Sequence, residues 1–290
     1  MTCIMIQGAT SGAGKTTVTA LLCRHLASKG LRVVPFKAQN LSLNSFVTAG
    51  GEEIGVSQAF QAWACGREPE VDMNPILLKP KGNGVCQVVL RGRPWADVGR
   101  GGQKVDRELL LRTVGESYRS LAENNDVVVI EGSGSPAEIN LRYQDLANMA
   151  TAEIAQSPVV LVGDIERGGV FAGLYGTHAL LEERHRRLVK AFLINRFRGD
   201  RRILGNGIAQ LEELIGVPCL GVLPFADLRF PSEDSLDLGR GRGTAASGGD
   251  MREAWLSNLD RFVVIAAEHV DMKALEELAR GGGAASPGCK

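Results

Sequence analysis

Near-continuous apolar runs alternate along this chain with segments whose apolar residues recur at helical spacing. Strand candidates fall at 3–7, 31–36, 86–90, 126–130, 158–163, 188–195 and 217–223. Helical candidates fall at 15–29, 54–65, 105–124, 143–156, 170–184 and 203–215. In the first helix Val18, Leu21, Leu22 and Leu26 share one face. Runs such as Val127-Val128-Val129-Ile130 and Pro158-Val159-Val160-Leu161-Val162 offer no polar side to water, which suits strands covered on both faces. The alternation predicts an α/β fold, a parallel sheet with helices on both faces, over 1–238. Residues 37–85 hold many polar and proline positions and read as loops around a site. From Gly239 to Asp250 the chain is Gly-, Arg-, Ala- and Ser-rich, which predicts a flexible linker, drawn at 239–252. A C-terminal extension, 253–290, follows: 253–280 reads as helical, with Asp271 as N-cap of Met272–Ala279, and Gly281–Lys290 as a disordered tail.

Composition narrows the class. The 290 residues are 44% apolar and 23% charged, a globular profile. Lys plus Arg and Asp plus Glu are 33 each, so net charge gives no support for a nucleic-acid partner. Six cysteines show no Cys-x2-Cys pair and no Cys/His cluster, and read as reduced thiols of a cytoplasmic protein. The chain enters its first strand at once, which argues against a signal peptide. No apolar run approaches the ~20 residues of a membrane span.

The chemistry begins at residues 8–17, Gly-Ala-Thr-Ser-Gly-Ala-Gly-Lys-Thr-Thr, directly after the first strand. A strand that delivers the chain to a glycine-rich turn and then a helix makes a phosphate-binding loop. Backbone N–H groups wrap an anion, and the helix dipole adds to them. Gly12, Ala13, Gly14, Lys15, Thr16 and Thr17 are the expected nucleotide contacts, with the Thr16 hydroxyl a Mg²⁺ ligand. The first glycine lies one residue early, giving Gly-x5-Gly-Lys-Thr. In open α/β sheets ligands gather at the carboxyl ends of strands. Lys37, Glu131, Asp164 and Asn195 each follow a strand candidate. Glu131 stands out, because Gly132-Ser133-Gly134-Ser135 after it lets a ligand approach the backbone. Glu53 reads either as a second metal carboxylate or as a first-turn acid of the helix at 54–65. Asp164 to Val170 reads as an anion or hydroxyl site or as a capped loop.

Several longer strings then share one resemblance. They are Pro35-Phe36-Lys37-Ala38-Gln39-Asn40, Asp72-Met73-Asn74-Pro75-x-Leu77-Leu78-Lys79-Pro80 and Glu131-Gly132-x-Gly134-Ser135-Pro136-Ala137-Glu138-Ile139-Asn140-Leu141. With them go Asn44-Ser45, Glu53-Ile54-Gly55-x-x-Gln58, Asp164-Ile165-x-Arg167-Gly168-Gly169-Val170-Phe171, Ile194-Asn195-x-Phe197-Arg198-Gly199-Asp200 and Pro231-x-Glu233-Asp234-Ser235. Together they closely resemble the cobyric acid synthase family over about residues 1–238, and the displaced glycine resembles that family and its relative dethiobiotin synthetase.

The resemblance implies a P-loop synthetase domain of the dethiobiotin synthetase-like type. It would convert carboxylates of adenosyl-cobyrinic acid a,c-diamide to amides with ATP, Mg²⁺ and ammonia, giving cobyric acid in cobalamin biosynthesis. It implies Lys15 and Lys37 flanking the transferred phosphoryl group, Mg²⁺ on Thr16, Glu53 and Glu131, and adenine on Asn195. Asn40, Asn44, Asn74, Lys79, Ser135, Asn140 and Asp164 would line the corrinoid side, with Asp164 the candidate acceptor of the ammonia proton. A homodimer is expected by the same likeness.

One departure stands out. The family's glutaminase turn, Gly-x-Cys-x-Gly with a later His and Glu, is missing from these residues. The expected ammonia source is therefore a separate glutaminase or free ammonia, with a fragment or decayed copy as the other reading. Competing assignments are a cobyrinic acid diamide synthase or dethiobiotin synthetase-like ligase, and an ATP-binding remnant without catalysis.

Overall fold

Six of the apolar runs pair into one parallel sheet in the computed structural model, which describes residues 2–100, 102, 106–230 and 248–281. Numbered in chain order, its strands are β1 (Cys3–Gly8), β2 (Val33–Phe36), β9 (Val127–Glu131), β10 (Val159–Asp164), β11 (Val189–Phe197) and β12 (Cys219–Pro224). Their spatial order is β12-β11-β10-β1-β9-β2, and every pairing is parallel. β1 lies between β9 and β10, so the loops leaving all three open on one carboxyl edge.

Alternate residues of each strand enter opposite cores, as a two-residue side-chain period requires. Cys3, Met5, Val128, Ile130 and Leu161 face one layer, formed by α3 (Arg107–Asn124), α4 (Met149–Ala155), α5 (Val170–Leu180) and α7 (Gly205–Ile215). Ile4, Ile6, Val127, Val129 and Val160 face the other, formed by α1 (Lys15–Ser28), α2 (Val56–Ala64), α8 (Gly248–His269) and α9 (Met272–Ala279). A short α6 (Glu183–Arg186) precedes β11.

Residues 37–85, expected as loops, are largely ordered. They hold β3 (Gln39–Leu41), β4 (Ser45–Val47), β5 (Glu53–Gly55), α2 and β6 (Ile76–Gly82). β6 continues into β7 (Val85–Leu90) and β8 (Arg93–Gly99), forming a four-stranded sheet ordered β3-β6-β7-β8, while β4 and β5 pair separately. The run at 86–90 therefore belongs to an antiparallel meander, not to the parallel sheet. Two tight turns impose this. Asn83-Gly84 has φ of 52° and 74°, and Arg91-Gly92 has φ of 45° and 74°. Paired left-handed residues match the twist of a two-residue hairpin. β8 escapes an apolar scan because its residues alternate with an exposed polar face.

The helix expected at 143–156 starts late. The Asp145 carboxylate accepts from the N–H groups of Asn148 at 2.8 Å and Met149 at 2.7 Å, so α4 begins at Met149. The linker expectation also shifts, because α8 already begins at Gly248. Asp271 does cap α9, accepting from Ala274 N–H at 2.9 Å. Leu259, Phe262, Ala266, Leu275 and Leu278 of the two C-terminal helices share a core with β1 and α1. Residues 231–247 and 282–290, which include the Pro231–Ser235 motif, the rest of the expected linker and nearly all the expected tail, lie outside the described residues. Among the described residues no helix is long and apolar enough to cross a membrane.

Candidate functional site

β1 ends at Gly8, and the turn that follows places Gly12 and Gly14 at φ of 71° and 96°, left-handed values that glycine adopts without a Cβ clash. Gly14 is also crowded: a Cβ there would meet Asn195 Nδ2 at 2.2 Å. Lys15 opens α1 and is buried; its Nζ donates to Gly134 O at 2.9 Å and Thr10 O at 3.3 Å. The lysine thus spans from the phosphate loop to the glycine turn after β9.

Glu131, the last residue of β9, is the junction of the site and is fully buried. Its Oε1 accepts from Thr16 Oγ1 at 2.9 Å and from Lys37 Nζ at 2.9 Å, and Lys37 is itself buried. Its Oε2 accepts from Gln61 Nε2. Two residues from adjoining strand ends and one from the phosphate loop therefore meet where sequence reasoning expected them. Gln61, from α2, was missed: as a polar residue inside an apolar helix, 70 positions away in the chain, it carries no local signal.

The hydroxyl of Thr16 and the carboxylate of Glu131 are hard oxygen donors in direct contact, a donor set that suits Mg²⁺. Glu53 does not join them. It lies in β5, where its carboxylate takes Lys79 Nζ and Ser45 Oγ, and α2 starts only at Val56 with no acid in its first turn. The first-turn reading of Glu53 fails, and its carboxylate is held in an ion pair with Lys79. Partial burial pushes its carboxyl up, but the Lys79 and Ser45 hydrogen bonds prevail and hold it below the ordinary carboxylate value.

On the other side of the phosphate loop, Asn195 Nδ2 donates to Ala13 O at 2.9 Å. Arg196, a further residue that strand-end logic did not single out, has a left-handed φ of 63°. Its Nη1 donates to Gly12 O at 2.9 Å and to Asp164 Oδ2 at 2.9 Å. Asp164 Oδ1 accepts from Glu166 N–H at 2.9 Å. Asp164 is therefore held in an ion pair with Arg196 and in a turn, beside the phosphate loop. A cavity of about 700 Å³ opens here, lined by Thr17, Arg167, Asn195, Arg196, Phe225 and Phe262.

The residues expected to meet an organic substrate divide. Asn74 is buried and fully used: it donates to Lys37 O at 2.9 Å and Ile76 O at 3.1 Å and accepts from Gly55 N–H at 3.0 Å. It braces the backbone of Lys37. Asn40 is buried too and donates to Gln58 Oε1 at 3.0 Å. Lys79 is committed to Glu53. Asn44 and Asn140 are exposed. Ser135 lines a second cavity of about 330 Å³ with Gln39, Arg107, Gly134, Arg142 and Arg184.

A parallel sheet whose first strand feeds a glycine-rich turn, with a lysine, a threonine and a neighbouring strand-end acid converging there, defines a P-loop nucleotide-binding protein. The chain belongs to the CobQ/CobB/MinD/ParA nucleotide binding domain family, whose model matches residues 4–235. It is 50% identical over 282 residues to a protein of Archaeoglobus fulgidus named probable cobyric acid synthase, covering 97% of this chain and 60% of that protein. Proteins of the same name from Methanocella arvoryzae and Methanosarcina acetivorans are 47% and 52% identical over 280 and 240 residues. Those two alignments cover 96% and 83% of this chain but 55% and 49% of the relatives. The chain thus spans about half to three-fifths of the length of the curated relatives it matches.

Proposed function

We propose that this chain is the ATP-dependent synthetase portion of a cobyric acid synthase, which converts peripheral carboxylates of adenosyl-cobyrinic acid a,c-diamide into primary amides. The observation that carries the reading is the second lysine at Glu131. A phosphate loop with Lys15 suffices to bind a nucleotide. An anionic acid attacking an anionic phosphate needs more positive charge beside the transferring group, and Lys37 supplies it from the next strand end. The name shared by the relatives supports the same assignment.

In this mechanism a substrate carboxylate oxygen attacks the γ-phosphorus of ATP. The bond from phosphorus to the ADP oxygen breaks, and an acyl phosphate forms. Ammonia then attacks the acyl carbon, the carbon–oxygen bond to phosphate breaks, and inorganic phosphate leaves as the nitrogen loses a proton to solvent. The attacking acid is ionised at neutral pH, so no base of the protein is needed to activate it. Lys15 and Lys37 compensate the charge that moves between acid, phosphate and ADP. Thr16 and Glu131 would hold Mg²⁺, which when bound neutralises phosphate charge. Asn195 and Arg196 fix the far wall of the phosphate loop, beside the larger cavity, which fits a nucleoside. Ammonia would come from glutamine through a glutaminase portion or partner.

The test is incubation of the purified chain with ATP, Mg²⁺, ammonium and adenosyl-cobyrinic acid a,c-diamide. ADP release together with the acid-to-amide mass change is expected. ADP release with cobyrinic acid and none with the diamide would reassign the chain to the diamide-forming enzymes, and no turnover on either would refute a corrinoid ligase.

A further inference from the structure

The Glu131 carboxylate has two oxygens in different surroundings. Oε1 faces the Thr16 hydroxyl and the Lys37 ammonium, while Oε2 points to α2 and takes the Gln61 amide. Gln61 is completely buried, in a helix whose other inward residues include Phe60, Ala62 and Ala64. Its Nε2 also lies 3.5 Å from Thr16 O, the backbone of the residue whose hydroxyl meets the same carboxylate. Its Oε1 is buried with no hydrogen-bond partner among the described residues. Burying an amide oxygen unpaired is costly, and an apolar residue of the same length would avoid it. The unpaired Oε1 is a cost, and what offsets it is the Nε2 donor to the buried Glu131 carboxylate.

We propose that Gln61 is a positioning residue for the metal–nucleotide site. It fixes the plane of the Glu131 carboxylate so that Oε1 stays turned to Thr16. The terminal torsion of a glutamate is broad and roughly two-fold, so a carboxylate held at one oxygen alone can turn. A donor on Oε2 removes that freedom, and α2 becomes the strut that sets the acid against the first turn of α1. Hydrogen bonds of this kind behind a metal ligand typically govern metal affinity by about 10- to 100-fold. The proposal rests on the reading of Thr16 and Glu131 as Mg²⁺ ligands, and it is independent of the organic substrate.

The experiment measures ADP binding calorimetrically across a Mg²⁺ series, and again without Mg²⁺, for the wild-type chain, Gln61→Met, Glu131→Gln and the double variant. Gln61→Met keeps length and volume and removes the donor. The expected result is a requirement for about tenfold more Mg²⁺, with metal-free ADP binding unchanged. In the Glu131→Gln background the same replacement should add nothing, because Gln61 acts through that acid. If Gln61→Met is unfolded, Gln61→Ala is read the same way. Folded variants of Gln61 with the wild-type Mg²⁺ requirement would overturn the proposal alone. So would a loss equal with and without Mg²⁺, or one that adds fully to Glu131→Gln. A wild-type chain whose ADP binding ignores Mg²⁺ would instead overturn the metal reading, and this inference with it.

Discussion

Lys15 and Lys37 both carry a buried ammonium, but their partners differ, and so should the cost of losing each. Lys15 donates to the carbonyl oxygens of Gly134 and Thr10, whereas Lys37 is paired with a carboxylate that has no exposure at all. Removing one partner of a buried ion pair strands the other charge, at about 3–5 kcal/mol. Lys37→Met should therefore lower both stability and activity. Lys15→Met should remove nucleotide turnover, and it also strips the Gly134 and Thr10 carbonyls of their donor, at about 1–3 kcal/mol for each such loss. Urea unfolding of both variants beside their ADP release checks this, and a Lys37→Met chain as stable as the wild type would contradict it. Lys15, Thr16 and Glu131 were legible because each follows a strand or a glycine turn within a few positions. Gln61 and Arg196 were not, because their meaning comes from partners 70 and 184 residues away. Glu53 was ambiguous for the same reason. An acid beside a helix looks alike in sequence whether it serves a metal or pairs with a lysine, and its contact with Lys79 has no local signal.

At the scale of elements, the parallel sheet was readable because strands buried on both faces must be apolar throughout. The second sheet was not, because β6 and β8 are only partly buried and carry mixed sequence. The signal that would have found it is Asn83-Gly84, a hairpin pair between two β-prone runs. The edge strand β12 has a stricter demand. Gly221 has φ of 152° and faces Val270 in an isolated antiparallel bridge, while Asp271 N–H donates to Leu220 O at 2.7 Å. A Cβ on Gly221 would lie 2.3 Å from His269 O, a backbone atom that cannot swing aside. Gly221→Ala should therefore push the α8–α9 junction off the sheet edge. The expected readout is faster amide exchange at Asp271, together with a lower melting temperature. The cap of α9 is the milder companion: Asp271→Ala should cost about 0.5–2 kcal/mol, and Asp271→Asn should restore most of it. Unchanged exchange in Gly221→Ala would mean that the junction is not held by this edge.

For the molecule as a whole, the layer that covers one face of the sheet is assembled from both ends of the chain. α1 follows the first strand, and α8 and α9 come last, yet Leu22 and Leu26 share a core with Leu259, Phe262, Leu275 and Leu278. Polar ties reinforce the join: Arg24 pairs with Asp260 at 2.7 Å, and His25 lies 2.6 Å from Glu276. The exposed Arg24 pair adds little, so the apolar contact decides. Composition alone had set the C-terminal helices apart as an extension, because a glycine-rich stretch precedes them. Packing against Ile4, Ile6 and Val129 instead makes them one wall of the nucleotide-binding fold. A chain ending at residue 247 would remove α8 and α9 from that face, uncovering the part of β1 and β9 they share and the outer side of α1. The phosphate loop is the N-terminal end of α1, so the site should fail together with the core. The truncated chain is expected to bind the apolar dye ANS, lose cooperative urea unfolding and lose ADP affinity. Leu275→Ala, a single cavity in the same wall, should cost about 2–5 kcal/mol and keep the fold. If the truncated chain unfolded as cooperatively as the whole one and bound ADP equally well, the C-terminal helices would be an appendage. In that case α1 and α2 alone would be sufficient cover for Ile4 and Ile6.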